Sequence, residues 1–462
     1  MTAVGKDGAS ARGGSARRAK SVLLSVIGLH LVAETALTPF LPQLFERLYG
    51  IEDPEATGLY IWICRIAGLA ALPLWGLAAR RWSLHGLVLA GLCGSAVLDL
   101  LLGLAPSYAA YLVLSTLIVS TNSALLLAYP AFIAEHGDES SQDGVRARLT
   151  GICSLVVVFH LSVVVSTMVG AGVLALPEPR VGISAFAVLD TLLAVLTYRI
   201  LGKRPGTRTG RAGEALTQTR RDGTSAAGTR RLPWLMALAY AALIGIAFDF
   251  SANVARPFFT KFAEDLGSGS VGSGVLFFLP SVSALAVLPV VRRCHDVLGD
   301  RLLPLSLTVG AAGLAWSWLA GALPGLVGGR LLFGVGLGLG QVAVELRMFR
   351  ATGTEGPAFT AVETARSAGL LAAPIAATAA VSHDLALPLA VAAAVQALAA
   401  ALSLRRPRST ASSPVQPIAD RSEDAATTAV PPQSRPKPDT VPALASATAS
   451  TAAPAHSEEI HR

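Results

Sequence analysis

Long apolar runs, each about the length a helix needs to cross a lipid bilayer, alternate along this chain with short polar connections. They fall at 21–45, 58–79, 84–104, 108–134, 150–175, 181–201, 233–256, 272–291, 302–322, 325–347, 359–381 and 385–404. Lipid offers the backbone no water, so each run must satisfy its own N–H and C=O groups, and only a helix does that within one segment. The pattern predicts an all-α integral membrane protein with about twelve transmembrane helices. The runs group as six plus six, giving an N-terminal bundle over 21–201 and a C-terminal bundle over 233–404.

One motif recurs half a chain apart. PFLPQLFERLYG runs from Pro39 to Gly50, and PFFTKFAEDLG from Pro257 to Gly267. Each is followed about one helix later by Leu-Pro, at Leu72-Pro73 and Leu288-Pro289. A membrane protein of two similar halves can hold a site between them and expose it to either side by rocking one half on the other.

Composition agrees with lipid as the solvent. Of 462 residues, 52% are hydrophobic and 15% charged, against about 25% charged in soluble domains. Mean hydropathy is +0.56. The net charge of +7 gathers on one side. Arg12, Arg17, Arg18 and Lys20 precede the first run, and Arg199, Lys203, Arg204, Arg208, Arg220, Arg221, Arg230 and Arg231 crowd the central loop. That bias marks cytoplasmic loops, so both termini are expected in the cytoplasm and nucleic acid is not an expected partner. The stretches 1–20 and 405–462 are too polar to bury a core and are expected to be disordered, with 202–232 a basic linker. The first run is too long for a signal-peptide core. The preference for Arg over Lys, with abundant Ala, Gly and Pro, points to a GC-rich bacterial gene and hence to a bacterial plasma membrane. Cys64, Cys93, Cys153 and Cys294 form no Cys-x-x-Cys pair, which favours packing over metal or redox chemistry. No Gly-x-x-x-x-Gly-Lys loop is present, so neither cofactor nor metal is expected.

The stretch Asp296-Val297-Leu298-Gly299-Asp300-Arg301, with the two-halved topology, the basic central loop and the cytoplasmic termini, resembles the major facilitator superfamily over 21–404. In that family Asp, Gly and a basic residue after the second span of each half help latch the cytoplasmic side closed; the resemblance therefore implies a latch role for Asp296, Gly299 and Arg301. The first half keeps Gly76, Arg80 and Arg81, but Arg80 stands where the family has Asp and Ser83 where it has Gly. Arg330, Gly334 and Gly336 resemble the family's Arg-x-x-x-Gly-x-Gly pattern, here on the tenth span. The fifth span has Gly170 and Gly172 but no Pro before Pro177, unlike family drug/proton antiporters. The resemblance implies transport by alternating access, with the first and seventh spans lining the cavity.

Ionisable groups inside hydrocarbon cost at least about 2.5–3.5 kcal/mol, so they should face the bundle interior and be partnered. Glu34 and Arg65 fall at similar depths in adjacent spans and are expected to pair, either as a packing ion pair or as part of the site. Asp249, Asn253 and Arg256 sit at i, i+4 and i+7, on one helical face. Measured from the repeated Pro, Glu34 and Asp249 differ by about one turn, and both are expected near the central axis. His160, mid-depth in the fifth span, suits proton coupling or simple packing; Asp190, in the sixth, is a weaker candidate. Glu363 and Arg366 share a face near the cytoplasmic end and suit a gate or an interface, as do Glu345 and Arg347. Asp99 is expected to be solvated. The leading expectation is proton-coupled efflux of a small metabolite, drug or siderophore-like compound by one chain acting alone, with a small-molecule substrate, protons and the bilayer as partners. Symport uptake of a small organic solute is the rival. A membrane enzyme or receptor would need a buried His or Asp cluster on a lipid-facing groove, and the sequence offers none.

Overall fold

The computed structural model describes residues 25–404 except 27, 79–80, 83, 137–143, 202–230 and 353–356, and all regular structure in them is helical. The N-terminal stretch, most of the basic linker, the C-terminal tail and Arg80 lie outside the described residues. The first half runs α1 (25–35), α2 (Leu41–Tyr49), α3 (Pro54–Ala78), α4 (Leu84–Gly103), α5 (Tyr108–His136), α6 (Gly144–Ala175) and α7 (Pro179–Leu201). The second runs α8 (Arg231–Val254), α9 (Phe259–Asp265), α10 (Gly269–Val287), α11 (Val291–Leu298), α12 (Leu302–Leu319), α13 (Leu323–Thr352), α14 (Pro357–Val381) and α15 (Leu387–Leu404). Nine segments among the described residues are long and apolar enough to cross a membrane, one of them the 51-residue Gly269–Leu319.

The repeated motif folds alike in both halves. Pro lacks an N–H and its ring crowds the preceding turn, so it breaks a helix interior. α1 gives way to a 3-10 turn at Thr38–Phe40, and α8 gives way to a turn before Phe259. A short helix follows each break, and soon after its end the chain meets a left-handed glycine, Gly50 at φ 67° after α2 and Gly267 at φ 88° after α9. Only glycine takes that conformation without a Cβ penalty. The Leu-Pro steps diverge. Pro73 stays inside an unbroken α3, while Leu288–Val290 is a 3-10 turn that separates α10 from α11.

Within the first half α3 packs on α5, and α4 on both α5 and α7. Phe45 of α2 meets Tyr60, Tyr108 and Tyr111 edge-on at 5.2, 5.2 and 5.6 Å, an arrangement the ring quadrupoles favour. In the second half α13 lies directly against α12 and α10. Its Gly-rich stretch permits this approach. A Cβ on Gly336 would lie 2.3 Å from the Gly310 nitrogen, and one on Gly334 would lie 2.4 Å from the Pro280 oxygen. Without a hydrophobic force between helices in lipid, such backbone proximity supplies the packing energy. The outward faces are apolar, with Leu100, Val188, Leu192 and Leu398 exposed, as lipid contact requires. Contacts between the halves run chiefly through α6 on α10 and α3 on α14.

Candidate functional site

A cavity of about 100 Å³ lies where α6 faces α8, α10 and α13. Asp249, Asn253 and Arg256 all lie on its wall; helical spacing puts the first two on one face of α8, while Arg256 lies past the helix end at Val254, in the turn before α9. The opposite wall is His160 and Phe159 of α6, and Phe259, Phe277, Phe333, Arg330 and Gln341 complete the lining. His160 Nδ1 sits 3.2 Å from Ser281 Oγ of α10, so it ties the two halves together. Its Nε2 is buried without a hydrogen bond.

Asp249 is not free. Arg366 of α14 grips it through two bonds, Nε to Oδ2 at 2.8 Å and Nη2 to Oδ1 at 3.1 Å, the fork geometry that makes Arg–carboxylate pairs strong. The same guanidinium donates to Glu345 of α13 at 2.8 Å and Glu363 at 3.0 Å. One cation therefore joins carboxylates from three helices. The guanidinium reaches Asp249 because α8 has Gly245 beside it, where a Cβ would come within 2.8 Å of the arginine stem.

The expected Glu34–Arg65 pair does not form. Arg65 crosses from α3 to the second half, donating to the Leu370 carbonyl at 2.8 Å and to Asn253 Oδ1 at 3.4 Å. The carbonyl before the α14 proline, which cannot donate back to that position, leaves an acceptor that competes for the guanidinium. Glu34 instead keeps company with His30 and Asp190, one turn below it on α1 and across on α7. His30 Nδ1 lies 3.4 Å from Asp190 Oδ1, with both side chains almost wholly buried. Asp99 of α4 adjoins Asp190 and accepts from Ser95 at 3.4 Å. It is 8% exposed, which corrects the expectation of a solvated side chain. Glu34 and Asp249 thus belong to separate clusters. His30 was not singled out in the sequence, although its place four residues before Glu34 puts both on one face.

At the end of the bundle bearing Pro39 and Pro257, the two short helices meet. Gln43 of α2 donates to Thr260 Oγ1 at 3.0 Å and to Glu264 Oε2 at 3.2 Å, and Thr260 donates to the Pro39 carbonyl. Lys261 lies 3.6 Å from Glu46. The helix break leaves the Pro39 carbonyl without its regular acceptor role, and Thr260 fills it. Phe40, Thr260 and Phe258 are fully buried there.

At the opposite end, the ion pair near the latch sequence is Asp300 with Arg350 at 2.8 Å. Asp296 and Arg301 are exposed, as is Arg81, and a Cβ on Gly76 would touch nothing within 4 Å. The turn at Gly299 (φ 50°) presents Asp300, four positions past Asp296, the acid expected to matter. Glu363 and Arg366 join the core cluster described above, beside the cavity.

The Major Facilitator Superfamily profile matches residues 23–374. The chain belongs to this superfamily. As such it is a multi-pass membrane transporter and not an enzyme. No curated protein matches the sequence of this facilitator. Among solved structures it is similar to the human organic anion transporter MFSD10 (TETRAN), with 21% identity, a TM-score of 0.58, and 84% of this chain and 98% of that one covered. It is also similar to the nucleoside transporter NupG, with 13% identity, a TM-score of 0.58, and 83% and 97% covered. At these identities the likeness concerns the fold.

Proposed function

We propose that this facilitator is a proton-coupled secondary transporter of the bacterial plasma membrane that exports a small organic solute by alternating access. In this reading twelve spans form two bundles, 21–201 and 233–404, joined by 202–232, and one chain suffices. The observation that carries the reading is the meeting of the two repeated Pro-Phe elbows over one end of the cavity. With both termini cytoplasmic, as the Lys and Arg distribution predicts, that end faces outward and the elbows are the closed outer gate. Each elbow follows a helix that carries charge. α1 holds His30 and Glu34 five residues or more before Pro39, and α8 holds Asp249 before Pro257. A change of charge on either helix therefore acts on its own gate segment through a single rigid element.

The proton site of this proposal is the group of His30, Asp99 and Asp190, which are buried, with Glu34 beside them. A proton held between Asp99 and Asp190 supplies the donor that Asp190 Oδ2 otherwise lacks. Glu34, exposed at the edge of this group, is the member that exchanges protons with water. The apolar, phenylalanine-rich cavity suits a flat or apolar solute better than a sugar, which supports export. Everted vesicles with an acidified lumen, whose protons leave as substrate enters, are expected to accumulate substrate, and intact cells to exclude it. Accumulation in intact cells alone would reverse the direction, and accumulation in neither would end the proton-coupled reading.

A further inference from the structure

We infer that the cavity selects an aromatic organic monoanion, its acid group on Arg256 and its ring among the phenylalanines. This names the substrate class for the transporter proposed above and rests on that reading. Asp249, the acid on the cavity wall, is held by the fork of Arg366, so it offers a cation little. The remaining acids of that cluster, Glu345 and Glu363, are not on the cavity wall. Two guanidiniums are. Arg330 is spent: it donates to the Leu276 and Phe277 carbonyls at 3.2 and 3.0 Å and lies 4.0 Å above the Phe259 ring. Arg256 is not. Its side chain has no hydrogen bond or ion pair among the described residues, and its contact is the face of Phe277 at 5.5 Å. Arg65, one helix away, adds a second positive charge within electrostatic reach, and none of the three arginines has a carboxylate within 4.0 Å among the described residues.

A guanidinium at membrane depth without a counter-charge is costly, and a bound carboxylate removes that cost by matching its planar donors. The rest of the ligand is set by the walls. Phe159, Phe259, Phe277 and Phe333 favour an aromatic body by offset or edge contacts. His160 Nε2 and Gln341 Oε1 lack partners of good geometry, so a ring substituent able to hydrogen-bond fits there.

The test uses the purified full-length chain in nanodiscs without any gradient, so its outcome is independent of whether transport is proton-driven. Benzoate, benzamide and benzylamine are titrated by calorimetry and by thermal shift. Benzoate is expected to bind at least about tenfold more tightly than benzamide, the difference a charge-assisted hydrogen bond supplies, and benzylamine not at all. Arg256→Gln is expected to erase the preference for benzoate, and Arg256→Lys to retain part of it. Equal binding of the acid and its amide, preference for benzylamine, or no binding of all three would overturn the inference. So would an Arg256→Gln chain that stays folded and keeps the preference. If that variant fails to fold, the three-ligand comparison on the native chain and Arg256→Lys still decides.

Discussion

Arg366 shows how one side chain can organise a membrane interior. It is 9% exposed and satisfies acids from α8, α13 and α14 at once, so its removal leaves several buried charges without a partner. Breaking a buried pair in this way costs about 3–5 kcal/mol, and Arg366→Gln is expected to lower the thermal unfolding temperature in detergent accordingly. Glu363, whose side chain is 41% exposed, is screened by solvent, and Glu363→Gln is expected to cost less than about 1 kcal/mol. Equal effects from the two variants would mean that the cluster is not organised around the guanidinium. The sequence made Glu363 and Arg366 visible as charges on one face. It could not reveal Asp249 as their partner, because a pairing across 117 positions depends on which helices become neighbours.

Among the elements, α13 is the one most exposed to a single added carbon. Gly336→Ala and Gly334→Ala each put a Cβ into the backbone of a neighbouring helix, and backbone cannot move aside as a side-chain tip can. Both are expected to lose most of the monodisperse protein on fluorescence size-exclusion chromatography. Gly76→Ala, in open space, is expected to leave the profile unchanged; matching losses in all three would refute the packing argument. The short helices α2 and α9 make a different kind of contact, polar and few in number. Replacing Gln43 by Leu together with Thr260 by Val removes the neutral Gln43–Thr260 and Thr260–Pro39 hydrogen bonds, worth about 0.5–1.5 kcal/mol each, and the charge-assisted one to Glu264, worth about 1.5–3 kcal/mol. The outer gate should then open more often. In a chain whose four natural cysteines are Ser, an Asn253→Cys probe is expected to react with an impermeant thiol reagent about tenfold faster from outside. Unchanged labelling would reduce the elbows to ordinary packing.

Across the whole molecule, the proposed cycle couples a titratable group in the first half to a cavity walled mostly by the second. Proton-driven accumulation requires both, whereas exchange of substrate for substrate requires only the cavity and its gates. Glu34→Gln and Asp190→Asn are therefore each expected to abolish pH-driven uptake into vesicles while counterflow exchange persists. Arg256→Gln is expected to impair both assays. Loss of counterflow in Glu34→Gln would move that residue from coupling to substrate binding or folding.

The helical membrane architecture and the two elbows were legible in the chain, since run length, proline position and left-handed glycine act locally and leave their mark in adjacent residues. The same holds for the face shared by Asp249 and Asn253, which helical periodicity dictates, whereas Arg256 reaches the cavity wall from the turn beyond α8. Partnership was not local. Arg65 turned from Glu34 to Leu370 and Asn253, Asp249 to Arg366, and Asp99 from water to Asp190, because a buried charge takes the best-placed acceptor or donor among all helices packed around it. Only the tertiary structure sets those distances, and with them which arginine is left for a ligand.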